Sequence, residues 1–195
     1  MEIRAAEKTL LSLVFGLYYN LNLIGNDLVL VEDQPVAGLF IRAGTRIYDV
    51  RQAVIRYYLP QLGIEHLSEG NPYEEKITLI PEEIGIVIGQ DTQGLSAVIR
   101  INLHPFNDKT MIERGARRIQ EVLRLRENFA RYIRGVVTPL ILDNEVIGGN
   151  FSSMDSEELV RQRDQTIEAI MSANFIYAYG NNPKNVANEI INAVL

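Results

Sequence analysis

The chain has 195 residues, 47% of them apolar and 23% charged, and a formal net charge of −6. This is the make-up of one globular domain, and it excludes a disordered tail, a collagen-like chain and a cysteine-rich scaffold. The absence of cysteine also excludes disulfides, thiolate nucleophiles and Cys-ligated zinc, and leaves His66 and His104 as the two imidazoles.

Periodicity predicts a first helix over 2–20, with Ile3, Ala6, Leu10, Leu13, Leu17 and Leu21 at steps of three or four. Leu11, Val14, Phe15 and Tyr18 widen its apolar face, as in a helix buried on most sides. Gly25-Asn26-Asp27 is turn chemistry, and strands over 28–31 and 36–42 are expected on either side of Glu32-Asp33-Gln34-Pro35. A second helix is predicted over 46–59, with Thr45 as N-cap, Ile47, Val50, Val54 and Tyr58 on one face, and Pro60 as its stop. Residues 63–75, rich in Gly, Glu and Asn, are the best linker candidate and the place where a weak subdivision would fall.

Strands are expected over 76–80, 84–88 and 95–103. The last alternates Leu95, Ala97, Ile99, Ile101 and Leu103 with Ser96, Val98, Arg100 and Asn102, and is expected to be central. Gly89 to Gly94 reads as a polar loop between antiparallel strands. A third helix is predicted over 110–134, opened by a Thr110/Glu113 capping box and closed by Gly135. A hairpin over 136–142 and 145–148 follows around Asp143-Asn144, with Pro139 marking an edge strand. A helix over 156–173, with Asp155 and Glu158 as capping box, leads to a short strand in which Phe175, Tyr177 and Tyr179 alternate. Asn182-Pro183 opens a last helix with Val186, Ile190, Ile191 and Val194 inward. Helices and hairpins alternate without a β-α-β rhythm. The expected fold is therefore α+β, a single domain over 1–195, with helices (including N- and C-terminal ones) on an antiparallel or mixed sheet.

No GxxxxGK[ST] or GxGxxG motif is present, so neither a P-loop nor a dinucleotide site is indicated. HExxH is absent, and Glu65-His66 are adjacent, so they do not share a helix face. His104 sits at a strand end beside Pro105. Two isolated imidazoles predict no metal site. Gly94-Leu95-Ser96-Ala97-Val98 lacks the second glycine of a nucleophile elbow, and Ser96 falls inside a strand. Glu74-Glu75-Lys76 holds the Glu-x-Lys fragment of metal-dependent nucleases, but Asp49, the nearest upstream acid of use, falls on a predicted helix. Asp91-Thr92-Gln93-Gly94 is a polar hairpin tip, read as a plain turn before a ligand loop. No catalytic residue and no cofactor is expected.

The charge is segmented: −3 over 1–41, +3 over 42–56, −5 over 57–106, +4 over 107–134 and −5 over 135–195. The net sign speaks against nucleic acid, and the alternation suits a surface meeting another copy of itself. The plainer reading of the two basic stretches is a solvated helix face. Arginine supplies fifteen of the nineteen bases, and its planar fork is favoured at interfaces. Arg114, Arg117, Arg118 and Arg124, read as one side of the 110–134 helix, are the interface candidates together with Tyr177 and Tyr179. The apolar run Leu10 to Ile24 is too short and too interrupted to span a membrane. Glu2 and Glu7 spoil a signal-peptide start, so a soluble chain made in the cytoplasm is expected.

Size, mixed helix and strand content and charge blocks point to a non-enzymatic assembly subunit forming a ring-like homo-oligomer with itself and with other assembly proteins. The favoured setting is the neck or tail of a phage particle, of head–tail connector or tail terminator type, in which the chain would be part of the virion. The alternative is a small enzyme or ligand-binding domain whose carboxylate and tyrosine site spacing does not reveal.

Overall fold

The computed structural model describes residues 4–26, 29–34, 38–62, 70–104, 106–115, 117–130, 140–142, 145–147 and 156–194. In chain order the elements are α1 (Arg4–Tyr19), β1 (Leu30–Gln34), β2 (Gly38–Arg42), β3 (Tyr48–Arg51) and α2 (Gln52–Tyr58). Then come β4 (Lys76–Leu79), β5 (Thr92–Gly94), β6 (Ala97–Leu103), β7 (Met111–Arg114) and α3 (Arg118–Ala130). The chain closes with β8 (Leu140–Leu142), β9 (Glu145–Ile147), α4 (Glu157–Met171), β10 (Asn174–Gly180) and α5 (Pro183–Val194). The fold is α+β, with helices at both ends of the described chain.

The main sheet has the order β6-β10-β7 and is mixed: β6 runs parallel to β10, and β7 antiparallel to it. The central strand is therefore β10, not 97–103. Its residues Phe175 to Ala178 are buried, whereas Ala97 to Ile101 of β6 stay half-buried. A strand with neighbours on both sides loses edge and face exposure together, and an apolar run such as Phe175-Ile176-Tyr177-Ala178 suits that position. A second sheet, β1-β2-β5, is antiparallel, and β3-β4 and β8-β9 form separate antiparallel pairs.

Strand alternation sorts the side chains into two cores. Ile99, Ile101, Leu103 and Ala178 face α1 and α5, packing with Leu10, Leu13, Val14, Val186 and Ile190. Val98 and Phe175 face the other way, against Ile167, Ile170 and Met171 of α4 and Val122, Leu125 and Phe129 of α3. Gly180 is required at the close of β10, because a Cβ there would stand 2.6 Å from Val186 Cγ2.

Three sequence expectations are corrected. Residues 48–51 are a strand, not the start of a helix: Tyr48 and Val50 are buried while Asp49 is exposed, the period of a sheet, and Thr45 caps nothing helical. Residues 111–114 are β7, so Thr110 and Glu113 do not form a capping box. Gly115, at φ 101°, lies in the left-handed region and interrupts any helix running from 110 to 134. Residues 84–88 form no strand. A 3-10 turn over Pro81–Ile84 ends at left-handed Gly85, and Ile88 makes one bridge to Leu23, while Thr92–Gly94 of the expected loop pairs with β2.

The remaining helices stand close to expectation. Ser156 Oγ accepts from Leu159 N at 3.3 Å and caps α4, one residue beyond the predicted Asp155. Asn182 Oδ1 accepts from Lys184 N at 2.9 Å and Asn185 N at 3.3 Å, with Pro183 opening α5. In the candidate linker, the described residues 70–75 are tied to α2 by Ala53 N donating to Pro72 O at 2.8 Å. His66, Gly135, Pro139, Asp143, Asn144 and Asp155 lie outside the described residues. No described helix is long and apolar enough to cross a membrane.

Candidate interaction site

The residues singled out in the sequence separate into three groups. The first gathers around Glu121, which enters α3 at a position turned onto the main sheet and is 2% exposed. Arg100 of β6 and Tyr177 of β10 are register partners, so both project from the same sheet face towards it. The Glu121 carboxylate meets Arg100 Nε at 3.3 Å and Arg124 Nη1 at 3.0 Å, and accepts from the Tyr177 hydroxyl at 3.3 Å. A carboxylate this deep needs such partners, because a buried charge left alone is costly.

Arg117 extends the group outward. Its backbone N–H donates to the Tyr177 hydroxyl at 2.9 Å, and its guanidinium lies 4.9 Å from the centre of the Tyr177 ring. It also donates to the Tyr179 hydroxyl at 3.0 Å and pairs with Glu113. The Glu113 hydrogen bond is the main reason that the Arg117 pKa lies above its ordinary value. Burial pushes the Tyr177 hydroxyl above the usual phenol range, the Arg117 N–H opposing and Glu121 reinforcing the shift.

Two candidates stand elsewhere. Arg114 belongs to β7, and its Nη2 donates to Ala193 O at 2.9 Å, satisfying a carbonyl at the end of α5. Arg118 pairs with Glu168 of α4, and Arg126 with Asp164 at 3.1 Å. These two pairs step in opposite directions along α3 and α4, as antiparallel neighbours do. Four arginines on one helix face is thus corrected to one strand residue (Arg114), one residue just before the helix (Arg117) and two helix residues (Arg118 and Arg124), with different partners. Tyr177 is 5% exposed, and its hydroxyl is engaged by Arg117 N and Glu121 within the chain.

Glu121 and Arg100 were not singled out from the sequence. Arg100, the charged member of an otherwise apolar strand, was the available signal. Arg46 is a further organiser, its guanidinium joining Ile24 O to Asp91, so the Asp91 loop is pinned to the segment that leads into β3.

Among the described residues no group of three or more His, Asp or Glu side chains converges as a metal would require. An open groove of about 660 Å³ runs along α4, lined by Glu157, Val160, Arg161, Asp164, Gln165 and Glu168 among the described residues. Asp164, Glu168 and Arg161 are already held by Arg126, Arg118 and Glu158, so the groove presents ion pairs and not a converging acid–base set. No protein-family model matches the chain, and no curated protein or solved structure matches it significantly.

Proposed function

We propose that this chain is a non-enzymatic assembly subunit that forms a ring-like homo-oligomer, with the neck or tail of a phage particle as its setting. The observation that carries the reading is the outer surface of the α3–α4 layer. The inner faces of both helices are taken by the second core, yet Ile119 is 78% and Leu123 58% exposed one turn apart on α3. Leu159 at 42% and Val160 at 40% are exposed on α4. Apolar side chains at this exposure on a charged helix layer mark a contact surface more than a solvated face. Arg117, Arg118 and Arg124 each have a carboxylate partner within the chain, so apolar burial and not charge pairing supplies the association.

The test is light scattering on the purified chain at tens of micromolar, with and without Ile119→Glu and Leu123→Glu. Both positions are exposed, so the fold survives and the oligomer is lost. A wild type that stays monomeric at these concentrations overturns unaided self-assembly.

A further inference from the structure

The open strand edges of the described residues are unequal. β5 spans three residues, β7 spans four with Glu113 and Arg114 among them, and β1 carries Glu32 and Asp33. Short or charged edges are blunted against further pairing. β6 is different. It runs seven residues from Ala97 to Leu103 without Lys, Pro or Gly, and its one charge, Arg100, is turned to Glu121 beneath α3. It pairs only with β10 among the described strands, and helices cover both of its faces. Ala97 to Ile101 are half-buried, and on a strand paired along one side alternate N–H and C=O groups point away from β10.

The β8–β9 hairpin has the opposite deficit. Leu140–Leu142 and Glu145–Ile147 are apolar at every position but Glu145. The two strands pair with each other and have no extensive contact with any other described element. A lone two-stranded hairpin is marginal in water and gains stability from a third strand.

We propose that the β8–β9 hairpin of one copy adds to the open edge of β6 in a second copy, extending the mixed sheet across the subunit boundary. The inference rests on the assembly reading and adds a backbone contact to the apolar contact of α3. Residues 140–147 hold two acids and no base, while the one charge of β6, Arg100, is a base whose side chain is 39% exposed. The rival pairing, β6 against β6, is disfavoured. Arg100 is the fourth of seven residues, so antiparallel self-pairing in full register sets Arg100 opposite Arg100. Hairpin-to-edge contact is head-to-tail, and a head-to-tail contact whose rotation closes generates a ring.

The chain has no cysteine, which allows a clean test. Asn102→Cys, at an exposed position of β6, and Glu145→Cys, in β9, are prepared as separate chains, mixed and treated with a short bis-maleimide. A covalent dimer should form in the mixture and be lost when either chain is treated alone. Ile141→Pro, which removes a backbone donor from β8, should shift the wild-type oligomer to monomer mass with its circular dichroism unchanged. Self-linking of Asn102→Cys as the main product overturns the proposal in favour of edge-to-edge pairing. So does an oligomer that survives Ile141→Pro and gives no mixed cross-link: the contact then lies elsewhere and the assembly reading stands. A monomeric wild type removes both.

Discussion

Tyr177 and Glu121 are joined by a hydrogen bond of 3.3 Å across 56 residues of sequence, and this bond locks α3 onto the central strand. The same hydroxyl accepts the Arg117 N–H at the start of the helix, so one phenol fixes both where α3 begins and which face it turns inward. A buried carboxylate stripped of partners is costly, and so is a buried phenol left without an acceptor.

The group should respond unequally to truncation. Glu121→Ala leaves the Tyr177 hydroxyl without its acceptor and should cost about 1–3 kcal/mol. Arg124→Ala removes a half-exposed partner and should cost about 0–1 kcal/mol. Urea denaturation of the two variants measures the difference, and equal losses would refute the central place given to Glu121.

Stability should fall at alkaline pH. Burial raises the Tyr48 hydroxyl above the usual phenol range, partly offset by its hydrogen bond with Ser12 Oγ at 2.8 Å, and burial likewise raises Tyr58 and Tyr177. The folded chain thus keeps these protons to higher pH than the unfolded chain does. Their contribution is full below about pH 10, the unfolded value, and is lost as pH rises through the folded pKa values. Urea midpoints across this range should decline, and Tyr48→Phe should flatten the decline.

Core substitutions should follow strand position and not strand apolarity. Ile176, fully buried in β10, should lose about 2–5 kcal/mol on change to Ala. Ile101, half-buried on the edge strand β6, should lose less. A thermal melt that ranks Ile101→Ala above Ile176→Ala would contradict the strand order.

Arg114→Ala should fray the end of α5 without touching assembly, because its guanidinium serves Ala193 O and faces away from the Glu121 group. The expected loss is about 0.3–1 kcal/mol, the range for a cation near a helix C-terminus. Hydrogen exchange localised to 190–194 would register it, with the light-scattering mass unchanged.

Much of this architecture was legible in the residues. The spacing of Leu10, Leu13 and Leu17, the Asn182-Pro183 start of α5 and the alternation through 97–103 each carry a local cause, whether period, cap or pleat. The same local signals misread 48–51 and 111–114. Four residues such as Met-Ile-Glu-Arg satisfy either period, and only pairing with β10 selects the strand. Gly115 was the one local warning, since a glycine inside a helical pattern marks a break.

Composition, charge segmentation and the helical and strand periods belong to the sequence itself, because each depends on neighbours within a turn or a pleat. Tertiary structure decided the rest. It made β10 the centre and β6 an edge, put Arg114 and Arg117 on opposite faces of a sheet, and buried Tyr177 while leaving Ile119 outside. The reason is range: strand order, burial and the partner of Glu121 are set by segments far apart in the chain, and a residue's own neighbourhood carries no record of them.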